Sequence, residues 1–182
     1  MRHFLLSLWE ILEVIIIAAA TVFLIRSFLV QPFLVSGASM EPNFHDNDYL
    51  LIDEITYRFR TPERGEVVVF KSPTAGNTYF IKRLVGLPGE RISVKNGEVR
   101  VYPKADNNFF VLKEGYLEQD IKTFGDFDVK LKEGQYFVLG DNRNFSFDSR
   151  SWGSLEENKM VGLVRFRLWP LNKVMAFEAP AY

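Results

Sequence analysis

Apolar residues dominate the chain from Phe4 to Ile25, broken by Ser7, Glu10, Glu13 and Thr21. The pattern is apolar on all sides across Val14–Ile25, a stretch of twelve residues bounded by Glu13 and Arg26. With its flanks it reaches about 20 residues, the length of a bilayer-crossing helix. Three readings compete. A cleaved signal peptide would need a stronger positive start and a small-residue cut site, and Arg26-Ser27-Phe28-Leu29-Val30-Gln31-Pro32 is a poor one. A buried amphipathic helix would show a polar face. The expectation is a retained membrane anchor over residues 1–30, with Arg26 at one boundary. The charges of Arg2 and Arg26 barely decide its orientation.

Beyond Arg26 the periodicity changes to short β-type runs. Ser27–Ser36 contains Pro32 and reads as an edge strand. Tyr49–Ile52, Glu66–Lys71, Tyr79–Leu84, Arg91–Val94, Val99–Tyr102, Asp128–Leu131, Tyr136–Leu139 and Val161–Leu168 read as further strands, separated by Gly, Pro, Asn and Asp punctuation. Asn96-Gly97 is a two-residue hairpin signal. Ser154–Lys159 has helical promise for a single turn, and Tyr102–Phe127 reads as an insertion. The fold class expected is all-β, mainly antiparallel, a barrel or sandwich over residues 31–182, behind one N-terminal transmembrane helix.

Composition narrows the function. An aromatic content of 15%, with 17 Phe, supports a substantial core. A net charge of −1 argues against nucleic acid as a partner. The chain has no cysteine, so disulfides, thiolate catalysis and cysteine-ligated metals are excluded. Its two histidines, His3 and His45, stand far apart, which leaves a histidine triad or multi-histidine metal site poorly supported.

Three segments carry candidate chemistry. Ser36-Gly37-Ala38-Ser39-Met40-Glu41-Pro42 holds a serine in a small-residue turn, a common motif by itself. In Phe80-Ile81-Lys82-Arg83-Leu84, strand alternation sets Lys82 on the face of Phe80 and Leu84, with Ile81 and Arg83 opposite. Lys82 is either an exposed edge-strand lysine or a desolvated one whose lowered pKa makes it a base. Gly140–Gly153, rich in Asp, Asn and Ser, is either a solvated loop or part of a site, and it lacks the terminal glutamate of an EF-hand.

Together these segments resemble bacterial type I signal peptidase, the membrane-bound Ser–Lys leader peptidase. Ser-Gly-Ala-Ser-Met-Glu-Pro is similar to its serine box, Lys-Arg-Leu-Val-Gly-Leu-Pro-Gly-Glu to its lysine box, and Gly-Asp-Asn-Arg-Asn-Phe-Ser-Phe-Asp-Ser-Arg to its last box. The likeness runs from the anchor to about Trp169. It implies Ser39 as nucleophile and Lys82 as general base. Ser146 would hydrogen-bond and orient the lysine, while Asp148 would pair with Arg150 and Arg83. Met40 would pack beside the nucleophile, and Gly140, Asp141 and Asn142 would form the turn that holds the last box.

Two positions depart from the family. Gly37 stands where part of it has an oxyanion-hole serine, a role Ser36 does not inherit by position. Asn43 stands where threonine is usual.

The resemblance also implies the substrates: preproteins whose signal peptides lie extended beside the site and are cut after small residues, of Ala-X-Ala type. Candidate pocket residues are Phe33, Val35, Gly37, Met40, Phe44, Phe80 and Ile81, with plain core packing as the alternative for each. Neither cofactor nor metal is expected. Membrane lipid is an expected partner, through Phe28–Phe33 and Trp169, with the catalytic domain outside the cytoplasmic membrane. Rival readings are other Ser–Lys peptidases, such as a self-cleaving repressor, and a catalytically inert peptide-binding β-domain.

Overall fold

The computed structural model describes residues 2–28, 30–103, 108–118 and 121–180. Helix α1 spans Arg2–Phe28 and leads into β1 (Val30–Leu34). The helix therefore claims the start of the run expected as a strand from Ser27. Trp9, Ile11, Leu12, Ile15 and Ile16 are exposed, which sets aside the buried amphipathic helix. The expected transmembrane helix is a correction: among the described residues no helix is long and apolar enough to cross a membrane.

The remaining chain forms two open antiparallel sheets. The strands are β2 (Tyr49–Asp53), β3 (Val67–Lys71), β4 (Tyr79–Gly86), β5 (Arg91–Lys95), β6 (Glu98–Tyr102), β7 (Phe110–Val111), β8 (Phe127–Lys130), β9 (Gln135–Leu139), β10 (Leu155–Glu156), β11 (Met160–Trp169) and β12 (Met175–Ala176). The larger sheet has the order β1-β2-β11-β3-β4-β9-β10, with β12 added to β11, and the smaller has the order β7-β6-β5-β8. The expected barrel does not close: among the described residues β1 and β10 end the large sheet without a further strand partner.

Local chemistry explains the short elements that the strand pattern hid. Helix α2 (Thr56–Phe59) starts where the Asp53 carboxylate accepts from the amides of Ile55 and Thr56, both at 2.9 Å. Helix α3 (Ser149–Trp152) is capped by Asp148, whose side chain accepts from the Arg150 amide. The single helical turn expected at Ser154–Lys159 is instead β10 followed by a 3₁₀ turn at Glu157–Lys159. The Asn96-Gly97 hairpin forms as expected, with both residues at positive φ between β5 and β6.

Three apolar clusters hold the layers together. Val35, Met40, Phe44, Leu50 and Ile52 pack with Val67, Val69 and Val164 beneath the serine turn. Val68, Phe70, Leu84, Tyr136, Val138 and Leu155 fill the opposite face of the large sheet. Ile92, Val94, Val99 and Val101 pack with Phe137 and Leu139, joining the small sheet to β9. Strand β4 runs between these clusters, and it carries Lys82.

Candidate active site

Lys82 sits opposite Val68 in the β3–β4 register, on the face of Phe80 and Leu84. It is 3% exposed, so the edge-strand reading is wrong and the desolvated one holds. Its Nζ lies 2.6 Å from Ser39 Oγ and donates to the Ile81 carbonyl at 2.8 Å. The Phe80 ring stands 5.5 Å from the amine. Burial lowers the Lys82 pKa from 10.5 to about 8, and the charges of Asp148 and Asp141 pull part of the way back. About a tenth of the amine is therefore neutral at pH 7, and about half near pH 8.

Ser39 is held by its own backbone. The Asn142 amide donates to the Ser39 carbonyl at 3.1 Å, and the Asn142 side chain donates to the Ala38 carbonyl at 3.1 Å. Gly140 must be glycine here, since a Cβ would fall 2.1 Å from Ser146 Oγ and 2.4 Å from the Ser39 carbonyl oxygen. Gly37 adopts φ +92°, a conformation that side chains with a Cβ rarely take, and its amide donates to Asp46 at 2.8 Å. The backbone therefore accounts for glycine where part of the family has a serine. Ser36 is exposed and lines the cavity beside Ser39.

Asp148 is fully buried. It accepts from Arg150 Nε at 2.9 Å and Nη2 at 2.8 Å, and from the Gly140 amide at 3.0 Å. Burial alone would raise its pKa. The Arg150 hydrogen bonds and charge, with the Gly140 amide, outweigh that and hold it below 3.8.

Two implied contacts are corrected. Arg83, expected beside Asp148, forms its bidentate pair with Asp141, at 2.8 and 2.6 Å. It sits on the opposite face of β4 from Lys82, so its guanidinium meets the start of the loop rather than Asp148. Ser146 makes no hydrogen bond to Lys82, whose amine is taken by Ser39 and Ile81. Its Oγ is buried without a well-formed partner among the described residues, and it lies close enough to Asp148 to help lower that carboxyl.

A cavity of about 120 Å³ opens beside the Ser39–Lys82 pair. Phe33, Val35, Phe80 and Ile81 line it, as the sequence suggested. Met40 and Phe44 are corrections: both are buried in the cluster below, Phe44 stacked on Phe177 at 4.5 Å. Gly37 is exposed and outside the cavity lining. Sequence reasoning missed Leu34, Leu50, Val69 and Tyr79 as lining residues. Leu50 is the register partner of Phe33, and Val69 that of Ile81. Tyr79 lies one alternation before Ile81, a signal present in the sequence. Among the described residues no cluster of His, Cys, Asp and Glu suits a metal ion.

An amine whose pKa is lowered toward neutrality, in contact with a serine hydroxyl and beside a small apolar cavity, is suited to acyl transfer. Residues 8–169 match the family described as signal peptidase, peptidase S26. The chain is 42% identical over 157 residues to a probable signal peptidase I-2 of Synechocystis sp., covering 82% of this chain and 68% of that one. It is 36% identical over 173 residues to signal peptidase I of Bacillus licheniformis, covering 92% of each. A solved signal peptidase I from Enterococcus faecalis is 30% identical, with a TM-score of 0.48, covering 57% of this chain and 97% of that one. The matches reach across both loops of the site and the strand between them, and the chain belongs to the signal peptidase family, peptidase S26, serine endopeptidases that remove signal peptides from preproteins.

Proposed function

We propose that Ser39 is the nucleophile and Lys82 the general base of this peptidase. The observation that carries the proposal is the 2.6 Å contact between Ser39 Oγ and a buried amine with a lowered pKa. In the neutral state the Ser39 hydroxyl donates to the Lys82 lone pair. Attack on the scissile carbonyl passes that proton to Nζ and gives a tetrahedral oxyanion, for which the Ser39 amide is the first donor. Collapse breaks the C–N bond, and the Lys82 ammonium protonates the departing amine. Lys82 then deprotonates a water, which attacks the acyl-enzyme; the ester C–O bond breaks, the Lys82 ammonium returns the proton to Ser39 Oγ, and the signal peptide is freed as its carboxylate. Asp148, paired with Arg150, braces the site, and Arg83 does so through Asp141. Ser146, half-buried with its Oγ against Gly140, completes the packing on that side.

The substrate segment lies extended at the edge formed by β1, facing β4 across the cavity. At about 120 Å³ the cavity is smaller than the ~300 Å³ at which ordinary ligand pockets begin, so it suits small side chains such as Ala at the positions one and three before the cut.

Membrane attachment fits the exposed apolar residues of α1 and a second patch of Leu34, Trp169, Leu171 and Val174. Residues 1–30 serve as the membrane-binding part and 31–182 as the catalytic domain, on the extracytoplasmic face of the cytoplasmic membrane. Tethering raises the effective concentration of substrates that carry their own apolar segment.

One experiment tests these points together. Mixed with phospholipid vesicles, the chain is expected to sediment with them and to cleave a preprotein carrying Ala at both positions. Phe at either position is expected to stop cleavage. Efficient cutting after Phe would refute the small-pocket reading, and a chain left in the supernatant would refute membrane attachment.

A further inference from the structure

Arg143 is a buried cation whose partners come largely from outside its own loop. Its side chain is 0% exposed. Nε donates to the Gly140 carbonyl at 3.1 Å, and Nη1 donates to Glu114 at 2.8 Å. The second Glu114 oxygen and the Thr123 hydroxyl complete the fork. Glu114 and Thr123 belong to the stretch between β6 and β8 that the sequence marked as an insertion, and nothing in the proposed chemistry uses them.

Asn43 ties the same stretch to the nucleophile's turn. Its side-chain amide donates one proton to the Tyr116 carbonyl at 2.8 Å and the other to Asp141 at 2.9 Å. A threonine, the usual family residue there, has one donor and cannot make both bonds. Asp141 holds Arg83, the neighbour of Lys82, and the Arg83 guanidinium lies 4.0 Å from the centroid of the Tyr116 ring. Two chains of contact therefore converge on the catalytic pair. One runs from Glu114 through Arg143 to Gly140 and Asn142, which grips the Ser39 carbonyl. The other runs from Tyr116 through Asn43 and Asp141 to the strand of Lys82.

We propose that Glu114 and Asn43 are positioning residues for the catalytic pair, through which the stretch between β6 and β8 sets the distance between Ser39 and Lys82. This rests on the reading of Ser39 as nucleophile and Lys82 as base. Neither residue touches substrate, so the effect falls on turnover rather than on binding. Displacing reacting groups by a fraction of an ångström to an ångström costs about 10- to 100-fold in rate.

The test compares full-length Glu114→Gln and Asn43→Ala with wild type and Ser39→Ala on a preprotein substrate. Assays run at a temperature where circular dichroism shows each variant folded. The expected result is a fall in kcat of about 10- to 100-fold, with KM within about twofold of wild type. Glu114→Gln leaves Arg143 without its counter-charge; if that variant does not fold, Asn43→Ala, which removes only neutral donors, decides. Wild-type kcat in a folded Asn43→Ala, or a loss confined to KM, would overturn the proposal while Ser39→Ala remains inactive. Cleavage by Ser39→Ala would instead remove the nucleophile assignment on which the proposal stands.

Discussion

Lys82→Met is expected to lose at least about 10³-fold in cleavage rate while unfolding no more easily than wild type. The two halves of this result have separate causes. Methionine has no lone pair with which to take the Ser39 proton, and a serine hydroxyl without a base is a weak nucleophile. For the fold, the amine is a burden. A pKa moved from 10.5 to about 8 means that burying the ammonium costs on the order of 3 kcal/mol at neutral pH. Methionine nearly conserves the volume and meets Phe80, Val68 and Leu84, all apolar. Against this stand the contacts to Ser39 and Ile81, each worth about 1 kcal/mol. Proton counting sets the sign with pH. Below about pH 8 both folded and unfolded states hold the proton, and the penalty on wild type is complete. Between about 8 and 10.5 the folded state has released it while the unfolded state still binds it, so wild-type stability gains with pH. The advantage of methionine should shrink across that window in denaturant titrations. Retained turnover in Lys82→Met would end the assignment of Lys82 as base.

Asp148→Ala is expected to lose stability and activity together. It removes a wholly buried carboxylate, leaving Arg150, 14% exposed, without its partner and the Gly140 amide without an acceptor. Breaking a buried pair from one side costs about 3–5 kcal/mol. Because the folded Asp148 titrates below 3.8, its contribution is present above that pH and is lost as the pH falls through the lowered value. Wild type should therefore fall toward the variant in strong acid. Activity suffers because Gly140 abuts both Ser146 and the Ser39 carbonyl. Asp148 also raises the pKa of Lys82 by its charge, so any residual activity in the variant should titrate at lower pH than in wild type. Thermal unfolding and a pH–rate profile on one preparation check both. A variant as stable and as active as wild type would remove Asp148 from the site.

Much of the fold was legible because the chain announces its strands by composition and punctuation. β2, β3, β4 and β9 fall within a residue or two of their expected bounds, and Asn96-Gly97 marks its hairpin. What alternation cannot supply is register. Leu50 and Val69 line the cavity because they pair with Phe33 and Ile81, and pairing is a property of the sheet rather than of any segment. Closure was equally hidden, since nothing in a run of strands says whether the first meets the last. The pocket reading failed at Met40 and Phe44 because a large apolar residue beside a nucleophile looks the same whether it faces the substrate or the core. The Lys82 face was readable, since alternation alone sets it beside Phe80 and Leu84. The Asp141 partner of Arg83 and the Glu114 partner of Arg143 lie 58 and 29 residues away, beyond any local signal.

Transfer of the Ser39 proton to a neutral Lys82 amine is tested most directly by kcat/KM against pH. Measured for the full chain on a preprotein substrate, the rising limb of that profile reports the base of the free enzyme. The expected result is about a tenfold gain per pH unit on the acid side, levelling near pH 8. A profile that stays flat through that range, or one whose limb survives unchanged in Lys82→Met, would contradict it.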